Sequence, residues 1–171
     1  MNEKLMVENY GSIRTMPFPP GWKQDGSNLN SDKPRHIVAV RHPTFEKVQF
    51  GFYNRGQAIS RYIAIEFLTV LQMTPHALTA YEIEIIEPIL RTLADPSSFK
   101  IESIETILLN GRTVIKIEGL WLISGLRERG YFFAADDRGE YVQELHFFAP
   151  RTEYEDLLPQ IMECVNSIIW Q

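Results

Sequence analysis

Cysteine is nearly missing from this chain. Cys164 is the one thiol in 171 residues, so no intramolecular disulfide can form, which fits a reducing compartment. The spacings that metal binding needs are missing too. The four histidines, His36, His42, His76 and His146, make no His-x-x-x-His pair, and a single cysteine makes no Cys-x-x-Cys. No Gly-x-Ser-x-Gly elbow occurs, and Asn54-Arg55-Gly56-Gln57 is too sparse to cradle a phosphate. Asp136-Asp137-Arg138-Gly139-Glu140 is acidic, but Arg138 and the short length make it a hairpin turn rather than a calcium loop. No metal and no cofactor is therefore expected. No stretch approaches the about 18 apolar residues of a spanning helix. Met1-Asn2-Glu3-Lys4-Leu5-Met6 holds neither an apolar run nor a lipobox. The expectation is a soluble cytoplasmic protein without a signal peptide or a membrane partner.

Positive charge is also in short supply. Lys and Arg number 17 against 22 Asp and Glu, a net charge of −5, which argues against nucleic acid as a partner. The deficit is uneven. Residues 1–61 hold nine cationic and five acidic side chains, a net of +4, and residues 62–171 hold eight and seventeen, a net of −9. Either the two halves interleave in the fold and the field averages out, or the surface is dipolar and steers an acidic partner.

What is present is an ordinary globular composition, 44% hydrophobic and 23% charged, in a length suited to one domain spanning 1–171. Residues 1–11 are polar and expected to be loosely held. Ser12 to Met16 is a strand candidate. Pro17-Phe18-Pro19-Pro20-Gly21-Trp22 follows as an extended turn, because three prolines cannot donate to a sheet ladder. Trp22 should pin that turn to the core. Lys23 to Pro34 reads as an exposed loop. His36 to Arg41 and Lys47 to Tyr53 form a hairpin, with Val48, Phe50 and Phe52 on one face.

In the middle, Ile59, Tyr62, Ile63, Phe67, Val70 and Leu71 recur at helical spacing with Glu66 on the same stripe. The β-branched content leaves a strand over 59–72 as the alternative. Thr74-Pro75 resembles a helix start. Thr79-Ala80-Tyr81-Glu82 is a capping box, opening a helix to about Leu93. That helix should turn Ile83, Ile86, Leu90 and Leu93 inward, with Glu82, Glu84, Glu87 and Arg91 outward or flanking, and kink at Pro88.

Phe99 to Leu109 and Arg112 to Ile123 are strands joined by Asn110-Gly111, the dipeptide suited to a turn that needs positive φ twice. On the second, Thr113, Ile115, Ile117, Trp121 and Ile123 share a face. Gly125 to Gly130 reads as a charged turn, Tyr131 to Ala135 and Tyr141 to Phe148 as strands. Thr152-Glu153-Tyr154-Glu155 is a second capping box. The last helix should bury Leu157 or Leu158, Ile161, Val165 and Ile168. Pro159 is its alternative first turn. Tyr131, Phe132 and Phe133, then Phe147 and Phe148, place aromatics on both faces of adjacent strands. Both faces must therefore be covered, by helices or by a second copy in a homodimer. The fold class is α+β: an antiparallel sheet with helices packed on it.

Phe18-Pro19-Pro20-Gly21-Trp22 near the start, Asn110-Gly111-Arg112 at a hairpin and Cys164 to Ile168 in the last helix carry a resemblance. With the order strand, Pro-Gly-Trp turn, hairpin, helical middle, meander and terminal helix, the chain resembles the fold shared by photosystem PsbP proteins and fungal Ran-binding Mog proteins. It does so over about half its length, with residues 54–96 unmatched. The resemblance implies a PsbP/Mog-like sandwich and a non-catalytic binding or assembly role. It supplies no functional residues.

Candidate chemistry is sparse. Glu144 and His146 point to one side of a strand, where a carboxylate can orient an imidazole for base work; the plainer reading is a polar pair on the wet face. Cys164, between Met162 and Val165, reads as a buried structural thiol. Arg35, His36, Arg41 and His42 form the cationic group expected to bind, if any does. His36 and His42 flank one strand and could meet only across a ligand. The first functional reading is thus a non-catalytic protein-interaction or assembly factor with an unidentified protein partner. The alternatives are a small-molecule binding module, with a pocket between sheet and helical middle, and an enzyme with its site near Glu144 and His146.

Overall fold

The Asn110-Gly111 turn forms as its residues require, with φ of 47° and 85°. It joins the two longest neighbours of a large antiparallel sheet. The computed structural model describes residues 4–25, 37–53, 57–90 and 98–171. In chain order its elements are β1 (Met6–Tyr10), β2 (Ile13–Pro17), β3 (Lys23–Gln24), β4 (Ile37–Arg41), β5 (Gln49–Tyr53), β6 (Gln57–Ala58), α1 (Arg61–Gln72) and α2 (Ala80–Leu90). Then come β7 (Phe99–Leu109), β8 (Arg112–Trp121), β9 (Leu126–Ala134), β10 (Tyr141–Pro150), α3 (Arg151–Asn166) and β11 (Ile169–Trp170). Among the described residues the large sheet runs β3-β4-β5-β10-β9-β8-β7, with β6 following β5 along β10; a small sheet runs β1-β2-β11.

The period-2 alternation of each central strand divides the core into two layers. Val114, Tyr131, Phe133, Leu145 and Phe147 face α3 and the small sheet, where Tyr154, Ile161 and Val165 meet them. Ile115, Ile117, Phe132 and Val142 face α1 and α2, where Phe67, Val70, Ile86 and Ile89 cover them. The aromatics on both sheet faces are thus covered by helices. Burying a side chain such as Phe132 or Ile117 stabilises by about 1.5–3 kcal/mol.

Residues 61–72 are helical. Ser60 caps α1 by accepting the Ile63 N–H at 3.4 Å. Ala64, Phe67, Val70 and Leu71 are its buried residues, and Tyr62, placed on the inward stripe by spacing, is 66% exposed. The Thr79–Glu82 capping box forms: the Glu82 N–H donates to Thr79 Oγ1 at 3.3 Å, and the Thr79 N–H donates to Glu82 Oε2 at 2.7 Å. Pro88 lies close to the end of α2, so its missing N–H strands a single carbonyl. Leu93 lies outside the described residues.

Several expectations give way. Residues 6–10 are strand β1, paired with β2, because Val7 and Tyr10 bury against the α3 layer. Lys23–Gln24 pairs with β4 rather than standing as loop. Thr74-Pro75 starts no helix; the segment around Ala77 bridges the outer edge of β7 at Glu105. Glu82, expected outward or flanking, is buried. The charged stretch at Arg127–Arg129 is strand, with the turn earlier, and Ile123 sits in that turn at 91% exposure. Its charges are neutralised inside the sheet: Arg127 pairs with Glu102 and Glu155 over the Tyr154 ring, and Arg129 pairs with Glu118. The second capping box does not form. α3 opens at Arg151 without a side-chain cap, Glu155 turns instead to Arg127, and the helix runs through Pro159.

Candidate functional site

β9 and β10 pair so that His146 stands opposite Gly130 and Phe148 opposite Glu128. Glu128, Gly130, Glu144 and His146 therefore share the face under α1 and α2. A Cβ at Gly130 would lie 2.8 Å from Ile117 Cγ2 and 3.1 Å from His146 Nδ1, so the absent side chain makes room for the ring. His146 Nδ1 is 2.7 Å from Glu128 Oε1, and Nε2 is 3.1 Å from Glu144 Oε2. The indole N–H of Trp121 donates to Glu128 Oε2 at 2.6 Å. Phe132 meets the imidazole edge-on with centroids 5.6 Å apart, and Phe148 stacks on it at 5.9 Å. Glu128, Glu144 and His146 are exposed by at most 1%. The pair is thus buried, which overturns the wet-face reading.

Burial alone would lower the His146 pKa. The hydrogen bonds and charges of Glu128 and Glu144 outweigh it and lift the pKa to about 9. The ring is therefore a cation at neutral pH, donating from both nitrogens. A general base needs a free lone pair within reach of substrate, and this imidazolium presents none.

A second imidazole–carboxylate pair joins His76 Nε2 to Glu82 Oε1 at 2.9 Å. His76 Nδ1 lies 2.8 Å from the Thr74 carbonyl. Glu82 Oε2 serves the α2 cap, so this pair holds the α1–α2 connection to the helix start.

Of the expected cationic group, Arg35 and His36 lie outside the described residues. Arg41 pairs with Asp25 at 2.7 Å, anchoring β4 to the residue after β3. His42 Nδ1 accepts the N–H groups of Thr44 and Phe45, both at 3.1 Å, and its ring packs against Trp22 and Phe45. Burial lowers its pKa. Trp22 is buried on Phe18, as expected. Gly21 has φ of 90°, and its turn closes on Pro43, which would stand 3.3 Å from a Cβ there.

The register connects distant parts of this end of the sheet. Arg41 pairs with Gln49, Gln49 with Phe148, Phe148 with Glu128, Glu128 with Gly119, and Gly119 with Ile101. Five spacings of about 4.8 Å make this row about 24 Å long. Past it lie Phe45 at 40% exposure, Leu122 at 56% and Ile123 at 91%. Glu128 went unread because its charged neighbours suggested a turn. Strict alternation back from Phe132 would have placed it on the Phe132 face, and only the β9–β10 register brings it to His146.

Cys164 is buried, and burial followed by the nearby Glu163 charge pushes its thiol up to about 11. It borders a cleft of about 260 Å³ between the proline turn and the end of α3. Among the described residues no group of three or more His, Cys, Asp or Glu is placed to hold a metal ion. No described helix is long and apolar enough to cross a membrane.

No protein-family model matches the chain, and a search of curated proteins finds no match. The solution structure of cyanobacterial PsbP (CyanoP) from Synechocystis sp. PCC 6803 aligns with a TM-score of 0.62 over 100% of this chain and 94% of that one, at 10% identity. Identity that low speaks to architecture alone. The chain has a PsbP-like fold, an antiparallel α+β architecture in which sheet and helices bury the His146 cluster.

Proposed function

We propose that the protein is a non-catalytic protein-interaction or assembly factor, and that its partner docks on the sheet end beyond the Arg41–Ile101 row. The carrying observation is the β8–β9 tip, where Ile123 is 91% and Leu122 56% exposed. Tight turns favour Gly, Asn, Asp and Ser, so two branched aliphatics there leave burial energy unused, about 1.5–3 kcal/mol each if fully covered. Phe45 adds apolar surface at the far side, and the row's length suits a standard interface of about 800 Å² per partner. The sealing of His146 supports a role without acid–base chemistry there. The PsbP-like fold supports the reading by analogy only.

The test places a photo-crosslinking residue at Ile123 and, as a control, at Glu84 on the exposed side of α2. One discrete adduct in host extract from position 123, absent from 84, is expected. No adduct, or the same set from both positions, sinks the proposal. The cationic group Arg35, His36, Arg41 and His42 is the polar part of this reading, and unchanged partner binding after Arg41→Ala and His42→Ala removes it. A homodimer is one form such an assembly takes, which native mass spectrometry reads directly. A cytoplasmic location belongs to the same reading and is checked by fractionating the host.

A second reading, a small-molecule binding module, is favoured by one observation. A cleft of about 290 Å³ opens between α1 and the other end of the sheet, where a pocket between sheet and helical middle is expected.

A further inference from the structure

This cleft lies at the end of the sheet away from the Ile123 tip, where β8 begins and β9 ends. Leu68 and Leu71 of α1 and Ala134 of β9 supply apolar wall; Arg112, Asp136 and Asp137 supply charge. The parts are held in place. Gly139, with φ of 64°, sits so close to α1 that a Cβ there would fall 2.6 Å from Leu68 Cγ, which seats the β9–β10 turn on the helix. Asp136 Oδ1 accepts the Tyr141 N–H at 3.1 Å. The Arg112 guanidinium lies over the Trp170 ring, 4.7 Å from its centroid, and the Trp170 indole donates to the Leu109 carbonyl at 3.1 Å.

Arg112 is under-satisfied for its position. Its Nη1 is sealed from solvent and has no hydrogen-bond partner among the described residues. Burial works against its charge, and Asp137 offsets that in part. Because Nη1 is sealed, a carboxylate entering from the cleft would meet the other guanidinium nitrogens, in a charge-assisted hydrogen bond. A simple anion would also meet the field of Asp136 and Asp137, and a simple cation would meet Arg112. A ligand carrying both charges at short separation satisfies the two ends together. The volume sits at the small end of the about 300–1,000 Å³ usual for ligand sites, and Leu68 and Leu71 offer an apolar lining.

We propose that this cleft binds the zwitterion of a free apolar α-amino acid, its carboxylate on Arg112, its ammonium on Asp136 and Asp137, and its side chain against Leu68 and Leu71. The inference rests on the small-molecule reading above and is independent of the docking face at the other end of the sheet.

The experiment is an NMR titration of the full chain with L-leucine, L-methionine and L-phenylalanine separately, alongside N-acetyl-L-leucine and L-leucinamide. Saturable shifts confined to the cleft residues are expected for at least one amino acid. Both blocked leucines should bind at least tenfold more weakly than the best zwitterion. Asp137→Asn, at an exposed position that leaves the core untouched, should weaken binding at least tenfold, and Arg112→Gln should abolish it. Equal binding by a blocked compound overturns the zwitterion while keeping the cleft as a ligand site. Absence of binding by all five compounds overturns the inference, while the small-molecule reading falls only if ligands of other charge also fail to shift the cleft residues. Unchanged affinity in a folded Asp137→Asn protein overturns the assigned ammonium contact.

Discussion

At the scale of single residues the decisive group is His146. Its pKa is raised in the fold to about 9 from an ordinary value of 6.5, so its contribution to stability is complete below about pH 6.5 and is lost as pH rises through 9. The size follows from the shift and is about 3 kcal/mol. Urea unfolding midpoints should fall between pH 6.5 and 9.5, and His146→Gln should flatten that slope. A midpoint flat across this range would show that the ring is not held as a cation. Gly130→Ala tests the same spot sterically. The added methyl meets Ile117 and His146, and overpacking of this kind costs about 1–3 kcal/mol. Calorimetry that finds the alanine variant as stable as the parent would refute the close approach. The Cys164 thiol, pushed up to about 11, should be slow to react with a disulfide reagent at pH 7.5 until denaturant is added. Rapid modification of the folded protein would contradict its burial.

At the scale of elements, two similar sequence signals part ways. Thr79 and Glu82 exchange their hydrogen bonds at the start of α2, so Thr79→Ala should cost about 1 kcal/mol. Thr152 lacks that arrangement, since α3 has no side-chain cap, and Thr152→Ala should change stability by no more than about 0.5 kcal/mol. Equal losses in thermal melts would count against the difference. The contrast shows what was legible in the sequence and what was not. Local rules carried the Asn110-Gly111 hairpin, β7, the start of β10, α1 and the α2 cap, because each depends on neighbours within a few residues. They failed where distant partners decide. Arg127 to Arg129 is strand because Glu102, Glu118 and Glu155 receive its guanidinium groups from other elements. β1 exists because β2 offers an edge and the α3 layer takes Val7 and Tyr10. The alignment of Glu144 with His146 could be read from period 2. Their burial and the arrival of Glu128 could not, since both depend on β9 being one long strand.

At the scale of the whole molecule, β10 joins the two layers. Gln143, fully buried, accepts the Ser12 N–H on Oε1 at 2.9 Å and donates from Nε2 to the Tyr10 carbonyl at 3.0 Å, tying the small sheet to the large one. Gln143→Leu strands both backbone groups and should cost about 2–6 kcal/mol, from about 1–3 kcal/mol for each unsatisfied group. Hydrogen exchange at Ser12 should quicken at the same time, and unaltered protection there would mean that the small sheet is held by its apolar contacts alone. The opposite face of β10 fastens to β9 through the His146 imidazolium and Glu128, with Glu144 of the same strand on the other ring nitrogen. The two fastenings therefore answer to different solvents. A neutral amide has no proton to lose, so alkali leaves the Gln143 tie untouched, while the Tyr10 hydroxyl and Cys164 thiol buried in the same layer cost stability only as pH rises past their ordinary values of 10 and 9. The same alkali strips the charge that holds His146 between its carboxylates and loosens the β9–β10 tie on the face under α1 and α2. One strand thus carries, back to back, a tie whose grip depends on proton concentration and a tie that is indifferent to it.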